Sequence, residues 1–357
     1  VKSYIQSTLW LIKGKPCKKR FLKSNNGINK RFLKNPQCGD FSRALFLLDL
    51  EESSQMSTFK VGSHYVTRIE EMLTPGFFPE FLFPDFDNHI FQQSKLLAAP
   101  RFWHAESGKV MSSMHSWMIR KDHHVILVDT GCGNDKSRAL PIFQRFHQLN
   151  LPYLDNLLAV GVRPEDVTMV ICTHLHVDHV GWNTRLVNNQ WMPTFPNARY
   201  IFSRREFEHW QSPTGGVTKL PENMAVIADS VLPIVSAGMV DFVEDGAQIL
   251  PGLFFEDAPG HTAGHGMLKL ESEREAAVFP GDSLHQPMQV YRPDWNSRFC
   301  ESADQARITR RAVLDYCSDR KALLLPAHFG APHGGYVKRH ATGYDFNPAD
   351  DLVVSGQ

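Results

Sequence analysis

No stretch of this 357-residue chain stays apolar for the roughly 18–20 residues that a membrane-spanning helix needs, so no membrane role is expected. None of the six cysteines, at 17, 38, 132, 172, 300 and 317, has a partner at CxxC spacing. They are also too sparse for the disulfide framework of a small secreted domain. They read as free thiols, which points to a reducing, cytoplasmic setting. Acidic residues are missing from residues 1–38, which carry ten of the 38 Lys and Arg. The formal charge of zero therefore hides an acidic main body, with 28 basic against 38 acidic side chains from residue 39 onward. Such a body offers no basic stripe for a nucleic-acid groove. There is no internal repeat and no low-complexity tract.

Residues 1–55 differ from the rest. The chain begins at Val1, runs through Lys18-Lys19-Arg20 and Lys30-Arg31, and reaches a short apolar run at Ala44–Leu50 before Met56. A basic, acid-poor segment suits a targeting peptide, or a tail for nucleic acid or anionic membrane. The plainest reading is an extension outside the working domain, either disordered or translated upstream of a start at Met56. It predicts that residues 56–357 fold and work unaided.

From Met56 the pattern is mixed α/β. Residues 72–103 are rich in Phe and Pro, with Phe77-Phe78-Pro79 and Phe81-Leu82-Phe83-Pro84. Proline opposes a regular helix or central strand, so an irregular arm is expected. It either packs on the domain surface, walls a substrate pocket or makes a dimer contact. Ser113–Ile119 and Val125–Val128 read as a hairpin with its turn over Arg120–His124. Residues 136–149 read as a helix. Val167–Cys172 is almost wholly apolar, as expected of a strand buried on both faces. Later strands are expected near 199–202, 240–243, 253–257, 266–270, 276–280 and 322–326, with a helix over 301–319. This mixture suggests an α/β layer structure.

The chemistry concentrates in Thr173-His174-Leu175-His176-Val177-Asp178-His179, directly after the buried strand. In extended chain, His174 and His176 project to one side. Asp178 and His179 follow as the chain turns and can serve a second position. A bare HxH carries little weight in a chain with 17 His. Four nitrogen and oxygen donors within six residues on a strand end suit a metal such as zinc, iron, manganese or cobalt.

This run resembles that of the metallo-β-lactamase superfamily, whose members share an αββα sandwich with a metal site at one edge. The family also has a later His, an Asp and a last His, each at a strand end. The matching positions are His261 in Pro259-Gly260-His261-Thr262-Ala263-Gly264-His265, Asp282 in Pro280-Gly281-Asp282, and His328 in Ala327-His328-Phe329. The resemblance covers roughly residues 110–345. It implies two divalent ions, zinc above all. His174, His176 and His261 would hold the first, Asp178, His179 and His328 the second, with Asp282 bridging. The zinc β-lactamases lack an aspartate at that bridging position, so Asp282 points toward lactonases, phosphotriesterases and thioesterases. The acyl-homoserine lactonases and methyl-parathion-hydrolase-like enzymes look most similar, through the Gly260–His265 turn, the His328-Phe329-Gly330-Ala331-Pro332 tail with Gly343-Tyr344, and the long 183–238 insertion. Some lactonases carry a Tyr three residues after the bridging Asp; this chain has His285.

The expected reaction is hydrolysis of a lactone, ester or phosphotriester by a water activated between two cations. Asp178 holds metal and shuttles a proton, and His285 donates a hydrogen bond to a small-molecule substrate or is a neutral pocket residue. His265 contacts the site or merely packs in its turn. Asp129 orients a ligand or simply caps a turn. Cys172 is expected in the core, and Trp182 at the pocket mouth or in the core. Substrate choice is expected to lie with walls drawn from residues 72–103 and 183–238. Two other classes compete: a metal-dependent redox enzyme of the sulfur dioxygenase type, and an RNA-processing nuclease. The full set of seven ligands argues against the first and the acidic body against the second. A homodimer is a further expectation from the resemblance.

Overall fold

The computed structural model describes residues 57–213, 215 and 221–349. The expectations for residues 1–55 and for the boundary at Met56 lie outside them. Ten strands come first: β1 Thr58–Val61, β2 His64–Pro75, β3 Trp103–His104, β4 Lys109–Lys121, β5 His124–Val128, β6 Met169–Ile171, β7 Thr184–Val187, β8 Gln190–Pro193, β9 Arg199–Ser203 and β10 Val240–Val243. Seven follow: β11 Ala247–Leu250, β12 Leu253–Asp257, β13 Gly266–Ser272, β14 Glu275–Phe279, β15 Leu323–Leu324, β16 Gly335–His340 and β17 Gly343–Pro348. The first sheet runs β1-β2-β4-β5-β6-β9-β10, with β3 paired to β4; the second runs β11 to β17 in order. β7 and β8 form a separate hairpin.

The period-2 pattern of the strands sorts side chains between layers. Ile126 and Val128 of β5, Met169 and Ile171 of β6, and Ile201 of β9 face the second sheet. There they meet Leu253, Phe255, Leu268, Leu270, Ala277 and Phe279. The intervening Leu127, Val170, Tyr200 and Phe202 pack outward. They lie under helix α1 (Tyr153–Ala159), helix α2 (Arg204–Gln211) and the helical run Pro221–Ser236, through Leu157, Trp210, Val226 and Ile234. On the far side Val278 and Leu324 pack against Val313, Leu314 and Cys317 of helix α3 (Ala303–Arg320). Helix, sheet, sheet and helix thus stack in four layers, the αββα arrangement that the resemblance implies.

Most expected elements are present with small shifts. The hairpin turn tightens to Asp122-His123, because β4 runs to Lys121 opposite His124. Strand 322–326 shrinks to Leu323–Leu324, and the helix over 301–319 begins at Ala303. The helix expected over 136–149 is absent. That segment is irregular up to a 3-10 turn at Pro141–Phe146. Lys136 and Arg138 are drawn inward to the carboxylate of Asp229, and Pro141 lacks the N–H that a continuous helix would use. The arm is also less irregular than expected. Its first residues continue β2 to Pro75, past a bulge between Glu70 and Met72. The rest folds into short helices whose Leu82, Phe83, Ile90 and Leu97 form a small core with Trp295. Among the described residues no helix is long and apolar enough to cross a membrane.

Candidate metal centre

Strand ends from both sheets converge on one edge of the sandwich. β6 ends at Ile171 and delivers His174 and His176 on the loop that follows; β14 ends at Phe279 and delivers Asp282. His261 comes from the loop between β12 and β13, and His328 from the loop after β15. The turn into Asp282 needs Gly281, which sits at φ +49° with no room for a side chain. A Cβ there would lie 2.7 Å from His265 Nε2 and 2.8 Å from Thr173 Oγ1.

The donor atoms fall into two groups. His176 Nδ1 lies 2.9 Å from His174 Nε2 and 2.8 Å from His261 Nε2. Asp282 Oδ2 is 3.3 Å from His261 Nε2. In the second group His179 Nε2 lies 3.8 Å from Asp178 Oδ1, and His328 Nε2 lies 3.7 Å from Asp178 Oδ2. Asp282 Oδ1 reaches this group too, at 3.3 Å from His179 Nε2 and 3.0 Å from His328 Nε2. Each Asp282 oxygen therefore faces one group, the placement of a bridge.

This donor chemistry fits a pair of divalent cations. Three imidazole nitrogens turned toward one another are mutually repulsive lone pairs unless a proton or a cation lies among them. His179 Nε2 and Asp282 Oδ1 are buried without a hydrogen-bond partner, which a protein tolerates at few places. Nitrogen and carboxylate oxygen suit zinc.

The electrostatics follow from burial. Burial holds His174 and His261 well below the ordinary imidazole value, and neighbouring imidazoles push both further down. Burial lowers His176 to about 4. Neutral imidazole is the form that ligates metal. In the second group burial also opposes charge, but Asp282, Asp129 and Asp178 outweigh it and raise His179. His328 is raised in the same way by Asp282 and Asp178. Asp282 is pulled well below the carboxylate range: four imidazoles, His328 foremost, overcome its burial.

A surrounding set of groups fixes the donors. Asp129 accepts from His179 Nδ1–H at 2.8 Å, from the Thr173 N–H at 2.8 Å and from the Thr173 hydroxyl. His328 Nδ1 donates to the Ser113 carbonyl at 2.9 Å. His261 Nδ1 lies 3.7 Å from Cys300 Sγ. His265 sits behind the centre. Its Nδ1 donates to the Ala258 carbonyl and its Nε2 accepts from the Asp282 N–H, so it steadies Asp282 and does not line the cavity. Cys172 and Trp182 are core residues, the Trp182 indole donating to Glu71. His285 lines the cavity with its Nε2 3.3 Å from Asp282 Oδ2.

The cavity over the centre holds about 330 Å³. His176, Asp178, Asp282, His285 and His328 form its floor, and Phe77, Leu82, Val110, Phe143, Phe146 and Phe299 its walls. The Phe-rich arm supplies part of this wall. The 183–238 stretch supplies only Asn223 among the described lining residues, because its helices are spent covering the outer face of the first sheet. Phe143, Phe146 and Phe299 are wall residues that the sequence reading missed. The failed helix over 136–149 is what brings the first two there. Two buried glutamates, Glu71 and Glu206, were missed as well. A lone Glu in a strand or helix gives no signal of the loops it will anchor.

The metallo-beta-lactamase superfamily model matches residues 113–337. The chain belongs to that superfamily. Among curated proteins it is similar to an N-acyl homoserine lactonase of a Bacillus species, 30% identical over 122 residues, 34% of this chain and 40% of that protein. It is also similar to the lactonase AttM of Azorhizobium caulinodans, 32% identical over 111 residues, 30% of this chain and 37% of that protein. The chain thus matches well under half the length of these relatives. Among solved structures, the hydrolase AbOPH of the beta lactamase superfamily superposes with a TM-score of 0.69 at 22% identity, over 83% of this chain and 98% of that one. AidC, a dizinc quorum-quenching lactonase, superposes with a TM-score of 0.67 at 20% identity over the same shares. At such identities these likenesses speak for the fold.

Proposed function

We propose that this chain is a dinuclear metallohydrolase that opens lactones, with zinc as its resident metal. The observation that carries this reading is Asp282, whose two oxygens each face a separate donor cluster on the floor of an apolar cavity. His174, His176 and His261 would hold one ion and Asp178, His179 and His328 the other, with Asp282 shared between them. Two bound cations supply a Lewis acid for the carbonyl oxygen and a nucleophilic water at neutral pH. Opening the ring consumes one water, breaks the ring C–O bond, and leaves an alcohol, a carboxylate and a proton.

The protein side chains do the rest. His285 stands beside Asp282, its Nε2 3.3 Å from Oδ2 and its buried Nδ1 without a hydrogen-bond partner, placed to donate a hydrogen bond to the substrate carbonyl. Asp178 is the most exposed carboxylate of the centre and carries a proton to the leaving oxygen. The phenylalanine walls exclude water and take up an apolar substituent. The named lactonase relatives support the choice of lactones. His285, where some lactonases have Tyr, favours aryl esters and phosphotriesters as the second reading. RNA suits the cavity poorly, because a polyanion wants a positively charged groove and Arg298 is the one Arg or Lys among the described lining residues.

The test is proton release at constant pH from the zinc-loaded full chain on acyl-homoserine lactones and simple γ- and δ-lactones. Chelated protein and Asp282→Ala serve as blanks. Turnover that vanishes in both blanks is expected. No turnover of any lactone by folded, zinc-loaded protein overturns the lactonase reading and moves the test to aryl esters and phosphotriesters.

A further inference from the structure

Glu206 is wholly buried and touches no donor atom of the metal centre, yet it joins the two loops that carry the first cluster. It lies in the first turn of α2, whose N-cap Ser203 accepts the Glu206 N–H through its hydroxyl. Its carboxylate receives four hydrogen bonds. Oε1 accepts from the Leu175 N–H at 3.2 Å and the Trp210 indole N–H at 2.7 Å. Oε2 accepts from the Thr262 hydroxyl at 2.7 Å and the Gly264 N–H at 3.0 Å. Leu175 lies between His174 and His176, and Thr262 follows His261. The indole held by Oε1 stands edge-on to the His176 ring, with centroids 5.5 Å apart. Gly264 packs so tightly on α2 that a Cβ there would meet the Glu206 backbone N at 2.1 Å.

The second cluster has a different anchor. Glu71, on the bulge of β2, accepts from the Cys132 N–H, the Gly133 N–H and the Trp182 indole. It secures the segment after Asp129, which holds His179. Both glutamates touch the connection between β6 and β7, but at opposite ends: Glu206 at Leu175, between His174 and His176, and Glu71 at Trp182, beyond His179.

We propose that Glu206 is a positioning residue that sets the metal affinity of the first cluster alone. It does so by fixing the spacing between the His174–His176 loop and the His261 loop. The proposal rests on the metal reading given above. Three of the four donors are N–H groups that can only donate, so the site demands a carboxylate with acceptors on both oxygens. Burial makes an unmet donor costly there. Glu206→Gln keeps the shape but replaces one oxygen by NH2. The amide does least harm with its oxygen on Leu175 and Trp210 and its NH2 on Thr262, whose hydroxyl can rotate to accept. Gly264 N–H then faces a donor, and the loop of His261 loosens.

The experiment is cobalt titration of the chelated full chain, followed by its absorption spectrum, for wild type, Glu206→Gln and the milder Thr262→Val. Metal-free thermal melts check folding. Wild type is expected to bind two equivalents. In Glu206→Gln one affinity falls about 10- to 100-fold, the range for loss of a group that orients a ligand, while the other holds. Thr262→Val lowers the same affinity less. Equal losses at both positions, or no loss in folded variants, overturn the proposal. Wild-type protein that binds no cobalt overturns the metal reading itself, a result distinct from either.

Discussion

A lactone whose acyl chain enters the cavity over Asp282 gains burial with every methylene, and the gain is predictable. The walls are Phe77, Leu82, Val110, Phe143, Phe146 and Phe299, and the enclosed space is about 330 Å³. Each methylene moved from water into such surroundings contributes about 0.8 kcal/mol, or roughly fourfold in kcat/KM. From a four-carbon to an eight-carbon acyl-homoserine lactone the expected rise is therefore about two hundredfold. The rise levels off once the chain outgrows the cavity. Phe77 is the best residue to perturb, because it is only half-buried, stacks on Phe81 and packs at a tilt against Phe299 at the cavity wall. Phe77→Ala is expected to flatten the dependence for the longer members and leave the shortest nearly unchanged. Proton release at constant pH across the series measures both. Turnover that is flat with chain length in wild type refutes the assignment of these walls to the substrate.

Three further outcomes are expected. Asp129→Asn turns an amide toward His179 Nδ1–H in place of a full carboxylate. It should weaken the second metal about 10- to 100-fold, read by competition with a chromophoric zinc chelator. His285→Phe keeps the ring and removes both nitrogens; kcat on lactones should fall about a hundredfold or more, with zinc content by mass spectrometry unchanged. Lys136 gives a pH signature remote from the metal. Burial lowers its ammonium to about 8 in the folded chain, against about 10.4 when unfolded. Between those values the unfolded chain binds the extra proton, so wild type gains stability as pH rises through that window, by at most about 1.4 kcal/mol per unit. Lys136→Met should lack this gain, and urea unfolding of both proteins at pH 7.5 and 9.5 measures the difference.

The layered fold was legible because its central strands are short apolar runs whose alternate residues serve two cores. Val167–Cys172 is the clearest case, with Val170 and Cys172 on one side and Met169 and Ile171 on the other. The ligand candidates were legible because each stands just past such a run, where the chain leaves the sheet. All seven lie at one edge of the sandwich. The wall of the cavity was not legible. Residues 136–149 have helical spacing, but Lys136 and Arg138 are held by Asp229, which lies about ninety residues later. No local pattern carries that partner. Glu71 and Glu206 escaped for the same reason: a buried carboxylate is recognisable only by the distant N–H groups that surround it. His265 shows the converse. Its sequence neighbourhood suggested the site, and the fold puts it one layer behind, on the Asp282 N–H.

The central claim is that two metals, bridged by Asp282, make the chain a hydrolase. It is tested most directly by adding zinc in steps to the chelated full chain while following proton release from an acyl-homoserine lactone. Activity is expected to climb to a plateau at two equivalents per chain, which Asp282→Ala never reaches. A plateau at one equivalent, or an Asp282→Ala variant as active as wild type, would contradict it.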